Sequence, residues 1–144
     1  MARVEALCIS DRKGAVKTAV RQAIFKPGWG IEDDAHAGNW HRQVSLLAGE
    51  SIDQVKEVLP DLQQGAFAEN IITRGLDLAA LPIGGRLRIG ESVEVEITQI
   101  GKECHNSGCA IKKATGDCIM PREGIFAKVL VGGTVTSGDE IVRV

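Results

Sequence analysis

The stretch RLRIGESVEVEITQI, residues 86–100, decides the reading of the fold. In its second half Val93, Val95 and Ile97 alternate with Glu94, Glu96 and Thr98. A period of two is that of a strand with one dry face and one wet face. In its first half Leu87 and Ile89 alternate with Arg86 and Arg88, and Gly90 punctuates the run. Upstream, residues 81–85 (LPIGG) read as a turn and residues 69–73 (ENIIT) as a further strand. Downstream, residues 125–131 read as a strand or a short helix. Gly132-Gly133 and Ser137-Gly138-Asp139 are turns around Thr134-Val135, and residues 140–144 close the chain as a strand.

The N-terminal half is less regular. Residues 2–9 form a candidate strand with Val4, Ala6 and Cys8 on one face, which makes Cys8 a small buried hydrophobe. Residues 11–14 read as a turn. Val16, Val20 and Ile24 are too sparse to choose between strand and helix, and Pro27, Gly28 and Gly30 mark a loop. Residues 29–41 form a polar, glycine-punctuated loop that leads into a short strand at 42–47. One helix is expected, over 48–59, from the spacing of Ile52, Val55 and Val58-Leu59. Ser51 is its expected N-cap and Pro60 its stop. Many short strands with one helix, or at most two short ones, give a mostly β chain. The expected fold is a closed or partly closed β-barrel in a single domain, 1–144.

Composition agrees and excludes several classes. The 144 residues are 44% hydrophobic and 25% charged, ordinary values for a globular domain. Lys and Arg number 17 against 19 Asp and Glu, a net charge of −2, so no general nucleic-acid binder is indicated. No apolar run approaches the roughly 20 residues of a membrane span, and the start lacks the layout of a secretion signal. A cytoplasmic protein is expected, with neither membrane nor nucleic acid as partner. Seventeen glycines, 3% aromatic residues and no Tyr suit short strands and tight turns rather than a helix bundle.

Chemistry concentrates in residues 101–126, GKECHNSGCAIKKATGDCIMPREGIF. Three of the four cysteines, Cys104, Cys109 and Cys118, fall there with His105, among the cations Lys102, Lys112, Lys113 and Arg122. In a reducing compartment such a cluster is reactive or metal-binding rather than a disulfide scaffold. Nearby cations raise the thiolate fraction, and the thiolate is both nucleophile and ligand. Cys104, His105, Cys109 and Cys118 have the number of a zinc site but not the paired spacing of zinc knuckles; inert cysteines are the plain alternative. A second cluster holds Asp34, His36, His41 and Arg42, with Ser45 following. Such loop residues either make local hydrogen bonds or hold a ligand, and Arg42 and Ser45 suit an anion. Glu69-Asn70 is a polar pair in a strand-like run, either exposed at an edge or facing a pocket.

In order along nearly the whole chain, these stretches resemble the MOSC domain, named after the C-terminal part of molybdenum cofactor sulfurase. The matching residues are 30–38 (GIEDDAHAG), 41–47 (HRQVSLL), 65–71 (GAFAENI), 81–84, 97–105 (ITQIGKECH), 108–111 (GCAI), 116–126 (GDCIMPREGIF) and the closing Gly138-Asp139. The chain looks like a short stand-alone member. Where the family pattern has Gly-Asp, this chain has Asp33-Asp34.

The resemblance implies a barrel like that of pyruvate kinase and a role in molybdenum or sulfur metabolism. It implies that Cys109 ligates molybdenum of the molybdenum cofactor (molybdopterin) or carries sulfur as a persulfide. Cys104, His105 and Cys118 are then candidate catalytic partners. Arg42, Ser45 and Lys102 are candidates to hold the pterin phosphate, with Arg122 as a further cation. Asn70, Asp34 and His36 would line or orient the pocket. The partners implied are a cysteine desulfurase or molybdenum cofactor biosynthesis proteins. A redox role, such as reduction of N-oxygenated compounds, would need a separate flavin or iron–sulfur reductase. The alternatives are a non-catalytic delivery module and a zinc-stapled interaction domain.

Overall fold

The structure, a computed structural model, describes residues 2–12, 16–101 and 124–144. Eleven strands and one α-helix are formed among them: β1 (Arg3–Ile9), β2 (Thr18–Val20), β3 (Gln22–Lys26), β4 (Gly30–Ile31), β5 (Val44–Ala48), α1 (Gly49–Lys56), β6 (Ile71–Arg74), β7 (Arg86–Ile89), β8 (Val93–Ile100), β9 (Ile125–Val131), β10 (Gly133–Thr136) and β11 (Ile141–Arg143). A single 3-10 turn, Leu78–Ala80, precedes β7. The chain is mostly β, as the alternating pattern requires.

Eight strands make one sheet in the order β11-β7-β8-β9-β5-β6-β1-β2, and three make a second, β10-β3-β4. All pairs are antiparallel except β5 with β6, which α1 connects; parallel neighbours need such a crossover. The ladders leave the large sheet open between β11 and β2. Outside the ladders, the Val4 amide donates to the Asp139 carbonyl (2.8 Å) and the Ile141 amide to the Ala2 carbonyl (2.9 Å), which brings β11 beside the start of β1, the strand next to the β2 edge.

Each face of the large sheet has its own core. Leu46, Ile71, Val95, Ile97 and Ile125 belong to the larger cluster, with Phe25 and Val135 from the small sheet. Cys8, Leu47, Ile72 and Phe126 belong to the other, covered by Ile52 of α1 and by Phe67. Strand alternation sorts Leu46 from Leu47 and Ile71 from Ile72 in this way.

Two local expectations need correction. The helix starts after Ala48, an N-cap with no side-chain hydrogen bond, so Ser51 lies inside the first turn. The helix also ends at Lys56, well before Pro60. Val20 and Ile24, undecided in the sequence, lie on strands β2 and β3.

Candidate functional site

The segment richest in chemistry springs from the β8–β9 ladder. Gln99 pairs with Phe126, and Ile100 with Ile125. One step beyond, the Gly101 amide donates to the Gly124 carbonyl at 2.6 Å. Gly101 has a φ of 69°, a turn conformation that glycine adopts without strain. Phe126 also pairs with Ser45 on β5. The root of the cysteine-bearing segment at Gly124 therefore lies two residues from Phe126, the partner of Ser45 on β9.

Ser45 and Asn70 are both buried. The Ser45 amide donates to Asn70 Oδ1 (3.0 Å), and the Asn70 amide donates to Ser45 Oγ (3.0 Å). Asn70 Nδ2 donates to the Cys8 carbonyl (3.0 Å), while the Cys8 amide donates to the Asn70 carbonyl (2.7 Å). The carboxamide thus ties β5 to β1 at the point where β6 begins. Cys8 Sγ sits in this layer. Burial pushes its thiol up to about 12, and the Glu69 carboxylate adds to the shift while Lys17 opposes it. Glu69 is itself fully buried and accepts the Gly65 amide (3.1 Å) and the Phe67 amide (3.0 Å). Burial raises its pKa, and those amides work against the rise.

Asp34 anchors the polar loop. Its Oδ1 accepts the Ser10 amide (3.1 Å) and the Lys17 ammonium (2.7 Å), and its Oδ2 accepts the His36 amide (3.2 Å). The Lys17 and Asp34 side chains are both 0% exposed. Lys17 Nζ also lies 3.0 Å from His36 Nδ1 and 3.4 Å from Ser10 Oγ. Just before Asp34, Asp33 has a φ of 69°. That is the left-handed region in which Asp is among the few tolerated residues. The family pattern's Gly therefore stands where the backbone needs its freedom.

Next in the loop come Trp40, His41 and Arg42. Trp40 Nε1 donates to the His36 carbonyl (2.7 Å), and the Trp40 ring lies nearly parallel to the His36 ring. The Arg42 guanidinium carbon is 5.5 Å from the Trp40 ring centroid and 5.7 Å from that of Phe126. Both distances fall within cation–π range. Arg42 Nε is buried and has no hydrogen-bond partner among the described residues. His41 is exposed; its Nε2 pairs with Gln99 Oε1 at 2.9 Å, and its carbonyl accepts Thr98 Oγ1.

The sequence-derived candidates thus divide into three groups. Asp34 and His36 meet around Lys17, Ser45 and Asn70 meet around Cys8, and Arg42 sits over Trp40 and Phe126. Cys104, His105, Cys109, Cys118, Lys102 and Arg122 lie outside the described residues. Among the described residues no three His, Cys, Asp or Glu side chains are grouped to hold a metal ion. No helix among them is long and apolar enough to cross a membrane. Sequence reasoning missed Lys17, because a single charged residue carries no sign of burial; Glu69, noted there beside Asn70, is buried and not at an exposed edge. Trp40 could have been found from its place two residues before Arg42. On the other face, a cavity of about 500 Å³ opens beside Ile100 and Ile125, lined also by Ala48, Leu76 and Leu78, with Glu50 and Asp77.

A family model for the MOSC domain matches residues 33–142, so the chain belongs to the MOSC-domain family. It is a family associated with the molybdenum cofactor. The YUAD protein from Bacillus subtilis has a similar structure, with a TM-score of 0.80 at 23% identity, covering 97% of this chain and 93% of that one. YiiM from Geobacillus stearothermophilus gives 0.72 at 18% identity, covering 100% and 75%. YiiM from Escherichia coli gives 0.66 at 19% identity, covering 99% and 69%. At these identities the likeness is one of fold. No curated protein matches the sequence.

Proposed function

We propose that the chain works as one MOSC domain over 1–144 that binds the molybdenum cofactor, with the Cys109 thiolate as the ligand to molybdenum. The observation that carries this reading is Arg42. A guanidinium lodged against two aromatic rings, with a buried Nε that has no acceptor among the described residues, is suited to an oxyanion such as the pterin phosphate. Phe126, one of those rings, lies two residues from Gly124, where the cysteine-bearing segment rejoins the sheet.

On this reading Arg42, Lys102 and Arg122 supply charge to the phosphate. Asp34 holds the loop that carries His36, and Ser45 and Asn70 form the rigid frame beneath. Cys109 supplies a soft thiolate, which suits a metal already held by sulfur. The cofactor, when bound, supplies a two-electron redox centre. The cavity beside Ile100 and Ile125 offers mostly apolar room for a substrate, and electrons come from a separate reductase. The bonds that join the start of β1 to Asp139 and Ile141 at the β11 edge support closure of the large sheet into a barrel.

The test is molybdenum and zinc content after anaerobic incubation with molybdenum cofactor. Near-stoichiometric molybdenum in the wild type, lost in Cys109→Ala and weakened in Arg42→Ala, is the expected result. No molybdenum and no zinc would overturn cofactor binding in favour of a persulfide carrier loaded by a cysteine desulfurase. Zinc without molybdenum would replace it with a zinc-stapled interaction domain. Stoichiometric molybdenum with no turnover would identify a delivery module.

A further inference from the structure

We infer that a bulge in β8 holds His41 as a proton acceptor for a bound ligand: its Nε2–H is tied to Gln99, and its Nδ1 lone pair is left to receive the hydrogen of an O–H, N–H or S–H group. Between Ile97, opposite Ala127, and Gln99, opposite Phe126, the β8–β9 register shifts, so Thr98 is an extra residue on β8. On a regular strand Thr98 and Gln99 would point to opposite faces. Here both side chains reach the same residue. Thr98 Oγ1 donates to the His41 carbonyl, and Gln99 Oε1 lies 2.9 Å from His41 Nε2. The burial alternation that runs from Val93 to Ile97 also stops at this point. A bulge re-aims side chains in this way, and bulges gather beside functional sites.

The hydrogen bonds fix which ring nitrogen carries the proton. Gln99 Nε2 donates to the Gly101 carbonyl at 2.7 Å. A carbonyl oxygen only accepts, so the amide nitrogen of Gln99 has to face it. Gln99 Oε1 then faces His41 Nε2, and an amide oxygen also only accepts. His41 Nε2 therefore carries a proton. In the neutral ring the lone pair is then on Nδ1. Among the described residues Nδ1 has no hydrogen-bond partner, and His41 is exposed. The Trp40 ring meets the His41 ring edge-on, with 5.9 Å between centroids and 68° between planes.

A histidine with one nitrogen tied to an amide oxygen and the other open is oriented for proton transfer. The hydrogen of the ligand group passes to Nδ1. The electron pair of the broken bond stays on the ligand oxygen, nitrogen or sulfur. The imidazolium so formed keeps its Nε2–H on Gln99. Arg42, one residue on, suits the anion left behind. The carboxamide that holds His41 also holds the Gly101 carbonyl, so the ring stands where the cysteine-bearing segment leaves the sheet. That the ligand is the substrate of the cofactor site rests on the reading above; the tautomer and the open lone pair do not.

The experiment uses the full chain labelled with 15N-histidine and free of cofactor. Two-bond 1H–15N correlations at about pH 8.5, where an ordinary imidazole is neutral, give the tautomer. The His41 signals are assigned by their loss in His41→Gln. The expected pattern is Nε2–H. An Nδ1–H pattern, or an imidazolium at that pH, overturns the inference. Diethyl pyrocarbonate, which reacts with an unprotonated ring nitrogen, then probes the lone pair. A carbethoxyl group on His41 of the native chain, located by peptide mass spectrometry, is expected, and its absence overturns the open acceptor. In Gln99→Leu the tautomers should mix, whereas Gln99→Glu, which keeps an oxygen opposite Nε2, should retain Nε2–H. An unmixed Nε2–H pattern in Gln99→Leu would overturn the holding role of Gln99. The wild-type readings decide the matter on their own if these variants do not fold. Neither reading uses the cofactor, so a failure of molybdenum binding leaves both untouched.

Discussion

Ser45 and Asn70 bond to each other in both directions. The Ser45 amide donates to the Asn70 side chain, and the Asn70 amide donates to the Ser45 hydroxyl, each at 3.0 Å. Both residues stood out in the sequence as candidates for ligand contact. In the fold their polar atoms are turned on one another and on the Cys8 carbonyl. Asn70→Ala would strand the Ser45 amide and the Cys8 carbonyl without their side-chain partner. At roughly 1–3 kcal/mol per buried orphan, the expected loss is about 2–5 kcal/mol. Urea unfolding should show a lower midpoint with an unchanged slope. A loss under about 1 kcal/mol would contradict the structural role.

The Lys17–Asp34 pair makes a different prediction. Removing one partner of a buried pair leaves the other charge uncompensated, which costs about 3–5 kcal/mol. Lys17→Met and Asp34→Asn should therefore each be strongly destabilising. The double variant should lose clearly less than the sum of the two. A double-mutant cycle by denaturant unfolding measures that coupling, and strict additivity would show that the pair does not act as one.

Cys8 should be chemically silent in the native state. A thiol near 12 is ionised to about one part in ten thousand at pH 8, and its side chain is 0% exposed. Titration with a thiol reagent should count Cys8 only after unfolding. The same shift has a stability consequence. The folded-state value lies above the ordinary 9.0, so the contribution is fully present below pH 9.0 and is lost as pH rises toward 12. Cys8→Ala should flatten that alkaline decline, measured as unfolding midpoint against pH.

Ala68 holds a φ of 62°, and its carbonyl accepts the Ser45 hydroxyl at 3.4 Å. A left-handed conformation costs an L-residue roughly 1–2 kcal/mol, part of which glycine loses again in chain entropy. Ala68→Gly should stabilise the protein by about 0.5–1 kcal/mol in thermal unfolding. Asp33→Gly should gain less, because Asp tolerates this region better. A destabilised Ala68→Gly would mean the methyl group packs more usefully than its backbone strain costs.

How much of this could be read in advance depended on whether a residue's burial follows its hydropathy. Val93–Ile100 was legible residue by residue, because its buried and wet faces alternate with its side-chain chemistry. Lys17 was illegible for the opposite reason. It is 3% exposed while its neighbour Val16 is 69% exposed. The ion pair with Asp34 reverses the usual preference, and that partner lies 17 positions away. Ser51 misled because a hydroxyl near a helix start resembles a cap, whereas the helix begins two residues earlier with Gly49. Asp34, His36, Arg42, Ser45 and Asn70 were singled out as polar residues of a glycine-punctuated loop and of strand-like runs, and the resemblance lent them roles, but the partner each one takes is set by strand register, which no local pattern encodes.

The Gly101–Gly124 hydrogen bond separates two inheritances within one chain. The β8–β9 ladder brings those two glycines together before any of the intervening residues contribute, so the entropy of closing that excursion is borne by the sheet. Residues 102–123, which carry three of the four cysteines, are in that sense a cassette mounted on a finished chassis. The mount itself is a pairing of backbone groups of Gly101 and Gly124, so it draws on no side chain between them. What those side chains do chemically is thus written separately from what holds the two ends of their segment together.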